Sequence, residues 1–180
     1  MCQTVEAASD KGAKAMAMSL SERAALIEQY ARGPERIREA LAKVPKAALS
    51  WRPGVGKWSA HEVVVHCADS ETNSALRIRT LIAEKEPLVV GYDQDAWARV
   101  FDYQSESLED ALAAASSARV RTAPLLRRLT DAEWTKEGRH TESGRYTAED
   151  WLRIYAAHLE GHAQQIERNV EAWTASSSSR

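Results

Sequence analysis

Two histidines, His158 and His162, stand four positions apart within a long segment of helical periodicity. Because an α-helix turns about 100° per residue, positions i and i+4 differ by about 40° and share one face. Both lie on the apolar stripe that contains Tyr155 and Ile166, so they are predicted to face the interior. A buried imidazole needs a partner for each ring nitrogen, and a metal ion would supply one. The alternative is a buried pair satisfied by hydrogen bonds alone.

A third histidine can join this pair from an earlier helical segment. His66 follows Val63 by one helical turn and is expected on the inner face of that segment. His61 is about 140° away from His66 around the same helix, nearer to solvent, and His140 falls in a polar connection. Helix geometry therefore favours His66 over His61 as the third histidine of the site. Three neutral imidazoles from two helices would make a transition-metal site with coordination positions left for water or substrate.

Several carboxylates lie near these histidines in the sequence. Asp69, about one turn after His66, is either an acceptor for the second N–H of a ligand histidine or a surface charge. Asp69 and Glu71 are both candidates for a general base, and the sequence does not separate them. The string HLEGH is not a zinc-protease motif, because Glu160 lies about 200° around the helix from His158.

Composition indicates one soluble domain. The chain has 180 residues, 44% of them hydrophobic and 28% charged, and a formal net charge of −2. We therefore expect no nucleic-acid partner, because no basic stripe stands out. Cys2 and Cys67 match no disulfide framework or zinc ribbon, and Cys67 is expected in the core. No apolar run approaches the roughly 20 residues of a membrane span, and no secretory segment opens the chain, so the expected location is cytoplasmic.

Four long amphipathic segments predict an all-α four-helix bundle over residues 19–173. The segments run to about residues 45, 86, 129 and 173, and their N-caps are Ser19, Ser59, Ser107 and Thr147. A short extra helix after Asp93 separates the second from the third. Residues 1–18 are expected to form a flexible leader, residues 130–146 a polar connection able to hold a hairpin, and residues 174–180 a disordered tail.

The sequence also predicts local features of these helices. Gly33 and Pro34 should kink the first helix or restart it, and Pro124 should bend the third. Val120 is predicted on the inner face of the third helix, in the stripe of aliphatic residues there. Three aromatic residues are predicted either to belong to the core or to line the mouth of the site: Trp58, Trp151 and Tyr155.

Two sequence segments resemble a known family. GKWSAHEVVVHCADSE and YAAHLEGHAQQI are similar to the DinB-like superfamily of damage-inducible and thiol-transferase-related four-helix proteins. Members carry a tryptophan–serine helix start, a histidine seven residues after that serine, and an H-x-x-x-H pair on the last long helix. Trp58, Ser59, His66, His158 and His162 reproduce this pattern, and the order of elements agrees over roughly residues 19–173.

The resemblance implies an up-down-down-up bundle that holds one divalent metal, nickel or zinc, through His66, His158 and His162. It further implies a metal-dependent enzyme acting on a small molecule, either a transferase using a low-molecular-weight thiol or a hydrolase using metal-activated water. A homodimer is possible because the family often pairs through helix faces. The competing expectation is a non-catalytic bundle, with a structural metal or none, that acts through a protein partner.

Overall fold

The computed structural model describes residues 18–178, and these residues form four long helices, two short helices and a small sheet. No helix in this part of the chain combines the length and the apolar character needed to cross a bilayer. The helices are α1 (Leu20–Leu41), α2 (Ala60–Ala83), α3 (Gln94–Val100), α4 (Leu108–Leu126), α5 (Asp131–Trp134) and α6 (Ala148–Ser178), with a 3₁₀ turn at Lys46–Ala48. The strands are β1 (Leu88–Val89), β2 (Glu137–His140) and β3 (Gly144–Thr147).

Each long helix begins at the residue that its sequence predicted. The Ser59 hydroxyl accepts from the Glu62 N–H at 3.2 Å, and the Glu62 carboxylate accepts from the Ser59 N–H at 2.8 Å. This reciprocal arrangement satisfies two amides that have no partner inside the helix. Thr147 and Asp150 make the same exchange at the start of α6, at 3.0 and 2.9 Å. The short helix α3, capped by Asp93, is also confirmed.

Contacts between the long helices confirm the up-down-down-up order. Residues further along α1 contact residues further along α6, and the same holds for α2 and α4, so the two helices of each pair are parallel. Residues further along α2 contact earlier residues of α6, so these two helices are antiparallel. Around the bundle the order is α1, α6, α2, α4, with α1 and α2 at opposite corners. The contacting pairs are Arg23–Glu149 and Lys43–Glu167 for α1 and α6, Glu71–Arg119 and Arg79–Thr122 for α2 and α4, and Trp58–Asn169 and Ser74–Trp151 for α2 and α6.

A buried polar layer divides the core into two apolar halves. Its centre is Arg119 of α4, which is fully buried and forms a two-point ion pair with Glu71 of α2 at 2.8 and 2.7 Å. The same guanidinium donates to the backbone carbonyls of Tyr30 in α1, at 2.6 Å, and Tyr155 in α6, at 2.7 Å. One side chain therefore connects all four long helices.

The Gly33–Pro34 pair makes room for this arginine instead of breaking the helix. We expected a kink or restart there, but α1 is continuous from Leu20 to Leu41. Pro34 has no N–H, so it cannot pair with the carbonyl of Tyr30 one turn earlier. Arg119 supplies the missing donor. A Cβ on Gly33 would lie 2.3 Å from Nη1 of Arg119, so only glycine leaves enough space.

The predicted inner face of α4 is wrong by one position at its centre. Val120 is 68% exposed, and the neighbouring Arg119 occupies the core. An inner face assigned by hydrophobicity excludes charged residues. Arg119 is buried nevertheless, because its ion pair with Glu71 offsets the cost of removing its charge from water. Pro124, which was expected to bend the helix, lies two positions before its last residue, Leu126.

The remaining segments are the small sheet and the two ends of the described chain. The predicted hairpin is present, as β2 pairs antiparallel with β3, and β1 adds a short parallel strand that the sequence did not indicate. The expected leader falls outside the described residues except for Met18. Helix α6 continues through residues 174–178 of the expected tail, where Ser178 donates its hydroxyl to the Thr174 carbonyl at 3.0 Å. Residues 179–180 lie outside the described residues.

We expect Gly33→Ala to destabilise the protein by about 1–3 kcal/mol, the usual cost of overpacking a filled core. The added methyl group must displace Arg119 or Leu159, since both lie within 3.0 Å of its position. The free energy of unfolding from urea denaturation measures the effect.

Gly161→Ala is the matched control, because a Cβ added to this glycine of α6 would meet no neighbouring residue within 4 Å. Replacing an unconstrained helical glycine by alanine should stabilise the protein by about 0.5–1 kcal/mol. Equal effects of the two substitutions would contradict the proposed packing around Gly33.

Candidate metal centre

Three histidines from two antiparallel helices converge at one point. His66 comes from α2, and His158 and His162 come from successive turns of α6. One nitrogen from each ring lies within 4.8 Å of the other two, and the Nε2 atoms of His158 and His162 are 3.2 Å apart. His66 is buried, whereas the other two rings are half-buried, with 15% of the His158 side chain exposed. The cluster is therefore within reach of solvent.

Acceptors behind two of the rings fix their orientation. Nδ1 of His158 is 3.0 Å from Oε1 of Glu71, and Nδ1 of His162 is 2.9 Å from Oε1 of Gln165. A carboxylate or amide oxygen accepts a hydrogen bond, so Nδ1 carries the proton in both rings. Each Nε2 is then left with its lone pair directed at the common point, the form in which histidine binds metals.

The third ring contains a polar atom without a partner. Nδ1 of His66 is buried and makes no hydrogen bond with any residue in the described range 18–178. Trp58 packs against this ring with 4.8 Å between ring centroids, which contributes to its burial. The His66 ring thus has a buried nitrogen that the described residues do not satisfy, and its place in a cluster of three imidazoles fits a metal ion.

Burial keeps two of the three rings, His66 and His162, uncharged. It lowers the pKa of His66 well below its ordinary value, and the charges of His162 and His158 lower it further. Burial and then the charge of His158 likewise lower the pKa of His162 to about 3. Since a lowered histidine pKa favours the neutral ring, both side chains can donate a lone pair at neutral pH.

Glu71 connects the cluster to the polar layer of the bundle. Burial alone would raise the pKa of this carboxyl, but the charge of Arg119 and the hydrogen bonds from His158 and Arg119 outweigh it and lower the pKa. Glu71 is thus an anion whose oxygens are already engaged by Arg119 and His158. It orients His158 and has no free position from which to act as a general base.

Hydroxyl groups line the other side of the cluster. The Ser70 hydroxyl is 3.3 Å from Nε2 of His158. The Tyr155 hydroxyl accepts from the Arg77 guanidinium at 2.8 Å, and its ring centroid is 5.7 Å from that of His158. Burial raises the pKa of Tyr92 to about 12, while its contact with the Ser70 hydroxyl acts in the opposite direction. Ser70 therefore lies between the histidines and a group of tyrosines around Arg77.

Other residues that the sequence singled out lie outside the cluster. Asp69 accepts from the Tyr103 hydroxyl and contacts no histidine nitrogen, so the acceptor that we considered at Asp69 is found at Glu71. The rest make separate contacts: His61 with the Glu106 carbonyl, His140 with the amides of Glu142 and Ser143, and Glu160 with Arg36. None of these three belongs to the group of converging ligand atoms.

The aromatic candidates divide between the site and the core. Trp58 and Tyr155 pack against His66 and His158, whereas Trp151 is fully buried and donates its indole N–H to the Ser74 carbonyl at 3.0 Å. Sequence reasoning missed the acceptor role of Glu71 and did not consider Gln165. A signal existed for Glu71, which follows Cys67 by four positions on the buried stripe of α2.

Known proteins are similar to this chain in sequence and in fold. The sequence profile of the DinB superfamily matches residues 29–166. A protein of Oceanobacillus iheyensis named "Putative metal-dependent hydrolase" is 32% identical over 111 residues, which cover 62% of this chain and 64% of the relative, just under two thirds. "Putative metal-dependent hydrolase YfiT" of Bacillus subtilis is 28% identical over 134 residues, covering 74% of this chain and 75% of YfiT.

Solved structures agree on the architecture. The structure of YfiT, described as "a probable metal-dependent hydrolase with an unusual four-helix bundle topology", superposes with a TM-score of 0.82 at 24% identity, covering 91% of this chain and 94% of YfiT. A mycothiol-dependent maleylpyruvate isomerase gives a TM-score of 0.64 at 12% identity, covering 80% of this chain and 60% of the isomerase. At these identities the likeness concerns the fold. Together with the profile that spans most of its length, it leads to one conclusion: the chain belongs to the DinB superfamily.

Proposed function

We propose that the protein is a metal-dependent enzyme in which His66, His158 and His162 hold one divalent ion, nickel or zinc. The observation that carries the proposal is the convergence of three imidazoles: His158 and His162 have Nδ1 held by an acceptor, and His66 has a buried unpaired nitrogen. The relatives named as metal-dependent hydrolases support the same class.

The chemistry follows from the charge of the site. Three neutral ligands leave a bound ion its full positive charge, so it would act as a Lewis acid that activates water or stabilises a thiolate. The protein contributes orientation through Glu71 and Gln165, and a hydroxyl at Ser70 beside the ligand atoms. We infer a reaction in which a small nucleophile, a low-molecular-weight thiol or water, attacks a small electrophilic substrate.

A structural metal is the second candidate. Structural zinc sites usually have four protein ligands and no open position, whereas catalytic sites use three and keep one open. The group of donors has three members within residues 18–178, and two of the rings are half-buried. Both observations favour the catalytic proposal over a structural ion.

We expect the purified protein to contain about one divalent metal per chain and His158→Ala to lose most of it, because that substitution removes one of three ligands. Elemental analysis after gel filtration measures the content. His61→Ala is the control, since His61 lies on the same helix as His66 and contacts the Glu106 carbonyl instead of the cluster. Equal metal content in the two variants would contradict the assigned ligands.

Gln165→Leu should weaken metal binding by about 10–100-fold, the usual effect of removing a group that orients a ligand histidine. Its amide oxygen holds Nδ1 of His162, and the substitution leaves all three ligands in place. Competition with a chromophoric chelator gives the affinities. Gln164→Leu is the matched control, because Gln164 is exposed and bonds Glu160; a comparable loss there would mean that Gln165 has no special role.

Turnover should require the metal. We expect thiol-conjugation or hydrolysis of a small electrophile to cease after chelation and return when nickel or zinc is restored. The measurement is a panel of small thiols and activated esters, assayed with the metal-loaded wild type and His158→Ala. A fully metal-loaded protein without activity on any member of the panel would favour the structural-metal candidate.

A further inference from the structure

Within residues 18–178, Arg77 is a cation near the histidine cluster that forms no ion pair with a carboxylate. Arg77 projects from α2, where its Nη1 donates to the Tyr155 hydroxyl at 2.8 Å and its Nη2 to the Val90 carbonyl at 2.7 Å. Its guanidinium also lies over the ring of Tyr92, 5.8 Å from the centroid. These contacts use two of the five N–H groups of the arginine, so three remain for a ligand.

Three carboxylates lie in this part of the fold: Glu71, Asp69 and Glu142, whose carboxylate lies against Gly91. No Asp or Glu within residues 18–178 forms an ion pair with Arg77. Glu71 pairs with Arg119, and Asp69 accepts from the Tyr103 hydroxyl. A half-buried guanidinium that is fixed by neutral oxygens keeps its charge uncompensated, and this favours an anion at the remaining N–H groups.

The position of Arg77 connects it with the histidines. Tyr155 receives the hydrogen bond from Arg77, and its ring packs against His158. Ser70 contacts Nε2 of His158, and its hydroxyl also interacts by hydrogen bonding with the hydroxyls of Tyr92 and Tyr155. Arg77, these hydroxyls and the histidine cluster therefore border the same side of the bundle, between α2, α6 and the segment that leads into α3.

We propose that Arg77 binds a carboxylate of the small molecule that reacts at the histidine cluster, so that the enzyme selects anionic substrates or cosubstrates. The inference rests on the proposed function, since it assumes that the reaction occurs at a metal held by the three histidines. With neutral ligands the bound ion is a positive centre, and Arg77 is a second one. A molecule that is coordinated at one end and carries a carboxylate at the other satisfies both.

Arg79 provides a matched comparison on the same helix. It also lacks an acidic partner among the described residues, but it faces α4. It donates to the Ala75 carbonyl of its own helix at 2.6 Å and to the Thr122 hydroxyl of α4 at 3.1 Å. Arg79→Gln removes the same charge from the same helix without altering the side of the bundle that contains the histidine cluster.

The test uses the cobalt-loaded full chain and a series of ω-mercaptocarboxylates with two to six carbons, each paired with the mercaptoalcohol of equal length. Thiolate binding to cobalt produces a charge-transfer absorption, which gives the dissociation constant without any turnover. We expect at least one carboxylate to bind about tenfold or more tightly than its alcohol, the effect of a charge-assisted hydrogen bond. Arg77→Gln should abolish this preference, and Arg79→Gln should retain it.

The outcomes separate this inference from the proposed function. Equal affinities of acid and alcohol at every length in the wild type, or a preference that persists in Arg77→Gln, would overturn the role of Arg77 alone. Failure to take up cobalt would instead contradict the metal centre. The wild-type comparison decides the matter even where Arg77→Gln does not fold, because equal affinities overturn the proposal without any variant.

Discussion

The fully buried ion pair between Arg119 and Glu71 is the interaction on which the bundle and its candidate site both depend. Removing two charges from water costs several kcal/mol per ion, and only close pairing with further hydrogen bonds offsets that cost. Here the guanidinium donates to a carboxylate on α2 and to carbonyls on α1 and α6, and the carboxylate accepts in turn from His158. The packing of four helices and the orientation of a histidine are therefore determined by one network.

This connection explains why the histidines lie on rigid elements. His158 and His162 project from successive turns of α6, and His66 projects from the antiparallel α2, so their separation is set by helix packing. The polar layer lies between two apolar halves of the core, which hold it from both sides. A site built this way needs little rearrangement to accept a ligand, because acceptors hold two of its imidazoles and Trp58 packs against the third.

Much of this arrangement could be predicted from local sequence patterns. The N-caps at Ser59 and Thr147 and the shared face of the pair on α6 follow from spacing, and the structure contains them. The meeting of His66 with that pair was expected from the family resemblance, and the structure brings the three rings together. The burial of Arg119 and the exposure of Val120 could not be predicted, because assigning the inner face of a helix by hydrophobicity places every charged residue in solvent. The continuity of α1 through Pro34 depends on a donor from another helix, which no local pattern describes. The choice of Glu71 over Asp69 as acceptor depends in the same way on where α4 places its guanidinium.

The order of the helices along the chain has a consequence for biosynthesis. His66 leaves the ribosome well before His158 and His162, which belong to the last of the four long helices. Parallel neighbours such as α1 and α6 also join distant parts of the chain, and the entropy of closing such long loops slows folding. A nascent chain thus exposes His66 without its partners, and the complete set of imidazoles exists only after translation of α6. The metal centre proposed above can therefore assemble only on a chain whose last long helix has been synthesised.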